Sequence, residues 1–447
     1  MIRKILDFFK TGADLPLIKD ENEIKNLYEK KRLRLYITLI FGYAFFYTTR
    51  LGLSVAKKPL LDEGILDVTE MGIIGSVLLY TYAIGKFANG ILADHANIRR
   101  FMSTALLLSA VVNLLFGFTN YFIVFVILWG FNGWFQSIGS APSVVSICQW
   151  YSNKERGTRY GIWAGAHNIG EGLTFVGTAF LISILGWRWG FIGPGIVCII
   201  VSIVMFRNLA DRPQTYGLPH VVDYTKDYSA GKPTKEPLSK MHLLVFKSPI
   251  VWVLGLSSAF MYSARYAINN WGILFLQEVK HYSLVDASFA MGAYPVLGFI
   301  GAVFSGYLSD KFFNSRRNIP TLIYGLAEIA SLVMLYVIPP GNQILDTIAL
   351  GLFGFGIGGL IVFLAGLVAI DVFPKGVAGS VKGLIGLFSY IGAATQDLIS
   401  SFLIDDTKMM VEGKAVYNFD NAFIFWIGAS VLSMLLALTV WNVKPRE

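Results

Sequence analysis

Twelve runs of about twenty residues, each almost free of charge, follow one another along the chain, near 35–57, 70–92, 101–118, 121–150, 158–185, 188–206, 250–277, 287–309, 319–338, 345–370, 379–404 and 421–442. That length is what an α-helix needs to cross the hydrocarbon layer of a bilayer. Backbone groups in lipid have to be satisfied within the segment, and the runs lack the apolar–polar alternation of barrel strands. The sequence therefore predicts an all-α, multi-pass membrane protein. Composition agrees, since only 15% of residues are charged, against about 25% in an average soluble protein.

The runs divide six and six around a polar stretch. The expected organisation is an N-terminal segment over 1–34, a six-helix bundle over 35–207, a central linker over 208–249, a second bundle over 250–442 and a short tail over 443–447. Basic residues gather in the loops on one side, at Lys30, Lys31, Arg32, Arg34, Arg99, Arg100, Lys154, Arg156, Arg159, Lys311, Arg316 and Arg317. By the positive-inside rule that side is cytoplasmic, with both termini. The other side is poorer in them, with Lys57, Lys58, Arg188, Lys280, Lys408 and Lys414 spread over its loops. The net charge of +8 is assigned to topology and lipid headgroups, because no compact basic-aromatic patch marks a nucleic-acid site. The first 34 residues are amphipathic and charged rather than a cleavable leader, so the first run is expected to be its own insertion signal. Short far-side loops point to a bacterial inner membrane, and a monomer is expected. Cys148 and Cys198 fall inside the fourth and sixth runs and read as packing residues, so no disulfide, metal site or cofactor is expected.

Two arginines interrupt these apolar runs in matching local sequence, Tyr47-Thr-Thr-Arg50 and Tyr262-Ser-Ala-Arg265. A guanidinium keeps its proton and costs roughly 2.5 to 17 kcal/mol at the bilayer centre, so such residues mark function. Tyr43, Tyr47, Arg50 and Ser54 recur at i, i+4, i+7 and i+11, and Ser258, Tyr262, Arg265 and Asn269 repeat that spacing. Each set lines one helical face. The loops repeat as well: Gly90-Ile-Leu-Ala-Asp94 precedes Arg99-Arg100, and Gly306-Tyr-Leu-Ser-Asp310 precedes Arg316-Arg317. The arginines are offset by 215 residues and the aspartates by 216. A shared offset predicts two homologous halves about an axis along the membrane normal, with the arginine stripes facing each other. Two guanidinium forks across one cavity suit a phosphate dianion. The competing reading, that each arginine pairs with a carboxylate to fix helix packing, finds no acid recurring beside both.

At these residues the chain resembles the major facilitator superfamily, and more narrowly the organophosphate:phosphate antiporter family in its hexose-6-phosphate branch. The resemblance rests on Gly42-Tyr43 with Arg50, Gly85-Lys86-Phe87, Ala166-His167-Asn168-Ile169-Gly170, Arg265 with Trp271, and Asp211-Arg212-Pro213 leading to Gly217-Leu218-Pro219. It implies exchange of a sugar phosphate, glucose 6-phosphate first, for inorganic phosphate by rocking of the halves. It also implies that Lys86 and His167 lie near the substrate. From the residues alone, Lys86 either lines the cavity or snorkels to the interface. His167 is either a core residue or a binding residue tuned by Glu171 one turn away. Tyr43, Tyr47, Tyr262 and Tyr266 are candidates for phosphate or sugar contacts, with Asn269, Asn270 and Trp271 extending the stripe. Ordinary helix packing accounts equally well for each taken singly. Asp397 either pairs with a cavity cation, meets sugar hydroxyls or makes a packing ion pair. Asp94 with Arg99 or Arg100, and Asp310 with Arg316 or Arg317, are expected to be gating latches.

The chain departs from the family at Leu51, where lysine is frequent, at Asn270, where aspartate often precedes the tryptophan, and at Glu171, a usual glycine. The charge balance of the pocket is altered accordingly. Two alternatives stay open: a membrane sensor of external hexose phosphate working with a partner kinase, suggested by Leu15-Pro16-Leu17 through Glu23-Ile24, and a proton-coupled anion porter relayed by His167, Glu171 and Asp397. An enzyme is not expected, because no nucleophile–base pair, metal-ligand spacing or phosphate-cradling glycine loop appears. Replacing Arg50 or Arg265 by Lys keeps the charge and loses the fork. Either variant should abolish most sugar phosphate uptake with membrane insertion intact, and full uptake would remove both residues from the site.

Overall fold

The computed structural model describes residues 7–227, 246–313, 317–364, 378–411 and 414–440. Its long helices follow the twelve apolar runs. The first span is Glu21–Thr48 continued by Gly52–Asp62, the second Val68–Ala93, the third Ile98–Gly117, and the fourth Phe122–Gln136 with Ser140–Trp150. The fifth comprises Asn153–Ala164, Ala166–Leu173, a π-helical stretch Thr174–Thr178 and Ala179–Leu185, and the sixth is Trp189–Asn208. The seventh to twelfth are Pro249–Glu278, Leu284–Phe312, Asn318–Val337, Gln343–Val362, Ala378–Asp405 and Asp420–Thr439. Arg316, the tail 443–447 and the end of the tenth run lie outside the described residues, as does the side chain of Asp310.

Side-chain oxygens start several spans by satisfying first-turn amides. Asp20 accepts from Asn22 and Glu23, and Asn97 accepts from Arg100. Asp67 and Glu70 cap each other reciprocally at the second span.

Packing repeats the symmetry of the sequence. In the first half the first span packs on the fifth, the second on the fourth and the third on the sixth. In the second half the seventh packs on the eleventh, the eighth on the tenth and the ninth on the twelfth. Between halves, second meets eleventh, fifth meets eighth, and first meets seventh. Adding six to each partner reproduces the set, as expected for a two-fold repeat.

Close approach of the spans, within and between the halves, depends on small residues. A methyl on Gly75 would fall 1.9 Å from Asp397 Oδ2, and one on Gly170 2.2 Å from the Ala44 carbonyl. The first places Asp397 against the second span. The second draws the fifth span onto the first and sets the depth of His167 and Glu171.

The first span differs from expectation, since it is not one helix. At Thr49–Leu51 the ladder breaks, and the Arg50 and Leu51 amides both donate to the Tyr47 carbonyl. The Thr49 carbonyl accepts from Asn113 Nδ2 and Asn132 Nδ2, each at 2.8 Å. Gln136 donates to Thr49 Oγ1 at 2.9 Å. A break at this depth persists because protein donors replace the missing water. The backbone just before Arg50 is thereby held from behind.

The seventh span is also unusual. Eleven helices among the described residues are long and apolar enough to cross a membrane, and Pro249–Glu278 is not among them. Its polar stripe lowers its apolarity, and the protein compensates by covering it. Residues Met261 to Leu276 are all buried.

On the side bearing the N-terminal segment, Asp211 organises a cap. Its Oδ2 accepts from Thr11 Oγ1, the Gly12 amide and Asn97 Nδ2, each at 2.9 Å. Gly217, at φ +70, makes the turn that lets the Ile18 amide reach its carbonyl.

Asn132→Ala should cost about 1–3 kcal/mol, the penalty for a buried polar group left without its partner. A lower melting temperature in detergent together with slower uptake is expected. An unchanged melting temperature would mean that the break does not need its side-chain donors.

Candidate functional site

The two arginines meet at the boundary between the halves, 5% and 4% exposed. Arg50 donates to the Tyr266 hydroxyl of the opposite half. Its guanidinium lies 4.5 Å from the Tyr82 ring centroid, with the rings of Tyr47, Tyr266 and Tyr390 at 5.4 to 5.6 Å. This is a cation–π cage. Among the described residues no carboxylate forms an ion pair with Arg50.

Arg265 is held differently. Its Nη2 lies 3.0 Å from Glu171 Oε1 and its Nε donates to the Tyr294 hydroxyl at 3.1 Å. Asn269 Nδ2 donates to the same Glu171 oxygen at 3.4 Å. Glu171 therefore bonds Arg265 across the halves, one helical turn along the fifth span from His167. The reason is reach: Gly170 brings the fifth span so close to the first that the next residue projects into the interface. His167 Nδ1 instead lies 2.5 Å from the Ala164 carbonyl, and its ring sits 5.9 Å from that of Tyr47.

Toward the far side, Trp271 donates to Asp397 Oδ1 at 2.6 Å. Trp271 is fully buried, so its ring is not an open platform for a sugar in this state. Lys57 Nζ lies 2.9 Å from the Trp271 ring centroid, and Lys57 faces the same small cavity as Asp397. Lys57 Nζ and Asp397 Oδ2 make no hydrogen bond. Ser54 donates to Asn270 Oδ1 at 3.5 Å. Arg50, Ser54, Lys57, Asn270 and Asp397 line a cavity of about 20 Å³, about the space of one water.

Lys57 was expected in a far-side loop as a topological charge, and its burial at 2% exposure overturns that placement. The signal was present, because Lys57 continues the series 43, 47, 50, 54 by three residues. The aromatic wall was missed as well. Tyr82 stands one turn before Lys86, and Tyr390 stands seven residues before Asp397, so both share a face with a charged residue. Lys86 Nζ lies 4.8 Å from the Tyr390 ring, at the linker-side edge of the group. Tyr43 stacks on Trp163 with centroids 4.7 Å apart, and Tyr262 lies 5.6 Å from the Arg265 guanidinium.

The two ends of the site are closed unequally. On the far side Lys58 bonds Glu278 at 2.6 Å, and Thr69 donates to Asp405 at 2.9 Å. On the linker side a cavity of about 320 Å³ runs between the fifth, eighth and tenth spans to His167, Arg265 and Tyr294. Lys382 donates to Tyr160 across the halves at 2.8 Å.

The arginines of the first expected latch take other partners, and Arg316 and the Asp310 side chain of the second lie outside the described residues. Arg99 donates to the Phe206 carbonyl at 2.5 Å and Arg100 to the Phe8 carbonyl at 2.9 Å, while Arg317 donates to Ser309 at 2.8 Å. Asp94 is exposed and forms no ion pair with Arg99 or Arg100. With Asn97 as the cap, both arginines start the third span and turn toward the sixth span and the N-terminal segment.

A twelve-helix repeat with paired arginines at its axis is a transporter architecture, and the comparisons decide which. The sequence profile of the Major Facilitator Superfamily matches residues 39–395. A probable hexose phosphate transport protein of Chlamydia pneumoniae is 32% identical over 98% of both chains. The membrane sensor protein UhpC of Salmonella typhimurium is 36% identical over 99% of both. The chain belongs to the organophosphate:phosphate antiporter family of major facilitators. As a major facilitator it is a multi-pass membrane protein and not an enzyme. Among solved structures, a bacterial homolog of the human lysosomal transporter Spinster superposes with a TM-score of 0.73 at 16% identity, over 93% of this chain and 99% of that one, a likeness of fold.

Within this major facilitator, Lys57 and Asp397 should behave as a coupled pair. Lys57→Gln and Asp397→Asn each leave an uncompensated buried charge. The double variant should recover about 1–2 kcal/mol relative to the sum of the singles. Additive losses of melting temperature would show that the two charges do not interact.

Proposed function

We propose that this protein is a secondary carrier that exchanges a sugar phosphate, glucose 6-phosphate first among candidates, for inorganic phosphate. The observation that carries the reading is the position of Arg50 and Arg265, both buried at the boundary of the halves and both bonded across it. Four basic side chains, Arg50, Lys57, Lys86 and Arg265, surround the boundary with two acidic ones, Glu171 and Asp397. The excess of two positive charges matches a phosphate dianion. Arg50 supplies a fork whose present partners are a hydroxyl and ring faces, which charge-assisted bonds to phosphate oxygens would outmatch. Transport of hexose phosphate by a full-length relative supports the choice of substrate.

Exchange follows from electrostatics. Buried like charges repel in a low dielectric, and a bound dianion relieves that repulsion as the halves close around it. Tyr43, Tyr47, Tyr262, Tyr266, His167, Asn269 and Asn270 surround the arginines as candidate contacts. The linker side, basic by sequence, is assigned to the cytoplasm and the membrane to a bacterial inner membrane.

A second reading has its own observation. The relative at 36% identity is a membrane sensor, and in this chain an ordered cap forms where Asp211 ties the N-terminal segment to the linker. A sensor would bind the same ligand, move none of it and signal through a partner kinase.

Uptake of labelled glucose 6-phosphate into proteoliposomes, loaded with inorganic phosphate or not, separates the two. Antiport predicts uptake raised at least tenfold by internal phosphate and lost in Arg265→Lys. Saturable binding without flux would replace the carrier by the sensor. Neither binding nor flux would overturn the substrate.

A further inference from the structure

We infer that Glu171 is a tethered anion that occupies Arg265 while the site is empty, and that an incoming phosphate group has to displace it. This rests on the reading of the arginine pair as a phosphate site. The two arginines are equivalent in sequence and unequal in partners: Arg50 has a hydroxyl and aromatic rings, and Arg265 has a carboxylate at 3.0 Å. Glu171 is 1% exposed, and its second oxygen has no hydrogen-bond partner. An orphaned buried acceptor is costly. Here one oxygen rests on the guanidinium, a weak amide contact from Asn269 adds to it at 3.4 Å, and the other oxygen is left over. The pair also joins the fifth span to the seventh, so it bridges the two halves that have to separate. Arg265 and His167 border the open linker-side cavity, which gives a free anion a route to this contact.

The carboxylate does in the empty protein what phosphate does in the loaded one. It neutralises Arg265, lowers the repulsion at the boundary and lets the halves approach without cargo. Two consequences follow. Phosphate competes with a resident anion, so its affinity is reduced by the fraction of molecules in which Arg265 is engaged. The empty carrier can also close and return, so exchange is less strict than in a site with bare arginines.

The sign of the effect separates this role from others. A Glu171 that bonded sugar hydroxyls would weaken binding when removed, and a purely structural one would alter stability alone. The test is a titration of the detergent-solubilised full chain with inorganic phosphate, read as thermal shift, for wild type, Glu171→Gln and Glu171→Asp. With Arg265 free in roughly a tenth of empty molecules, Glu171→Gln should bind phosphate about tenfold more tightly. Its melting temperature should fall without phosphate and recover with it. Glu171→Asp, whose shorter arm loosens the contact, should tighten binding by a smaller factor and serves if the Gln variant does not fold. In proteoliposomes the uptake remaining without internal phosphate should drop relative to wild type in Glu171→Gln. Equal or weaker phosphate binding by both variants, with wild type binding normally, overturns the role of Glu171 alone. Absence of any phosphate response in wild type overturns the phosphate site and this inference with it.

Discussion

A guanidinium that cannot lose its proton has to be given partners wherever it is buried. In this protein that requirement falls at the axis relating two six-helix halves, and much of the surrounding architecture answers it. Arg50 is received by four tyrosine rings and a hydroxyl, and Arg265 by a carboxylate, a tyrosine and further rings. Most of those partners come from the other half or from the spans that pack across the boundary. The cost of burying charge has thus become the means by which the halves recognise each other.

The same logic extends away from the arginines. Lys57 lies over Trp271, whose N–H bonds Asp397, and the glycine facing Asp397 leaves no room for a methyl group. A carboxylate, an indole and an ammonium from three spans form a compact unit at the far end of the site. Behind Arg50, three amide side chains from the third and fourth spans hold the Thr49 backbone. Polar groups in this membrane protein are few, and they cluster where two spans must meet at fixed depth.

The repeat was legible in the sequence because it is carried by spacing. Residues 43, 47, 50 and 54 and their counterparts share one period, and packing pairs that differ by six spans follow from it. What spacing did not convey was partnership. The pairing of Glu171 with Arg265 depends on how close Gly170 lets two helices come, a distance that no periodicity encodes. Lys57 was legible as part of the stripe and was misplaced because the apolar run was ended at Lys57 itself. The break at Thr49 left a single mark in the local sequence, Gly52 just past it. Its cause lies in Asn113, Asn132 and Gln136, far along the chain. Around the first expected latch, the Asn97 cap turns Arg99 and Arg100 toward the sixth span and the N-terminal segment.

The polarity of the seventh span has a consequence for biogenesis. A nascent helix leaves the translocon by partitioning into lipid, and an arginine near its centre adds about 2.5–3.5 kcal/mol against that step. In the finished protein this helix is sheathed by the first, eleventh and twelfth spans. Only the first has been synthesised when the seventh emerges. Membrane integration of the second half is therefore a cooperative event, completed only once the last two spans arrive to shield the seventh from lipid.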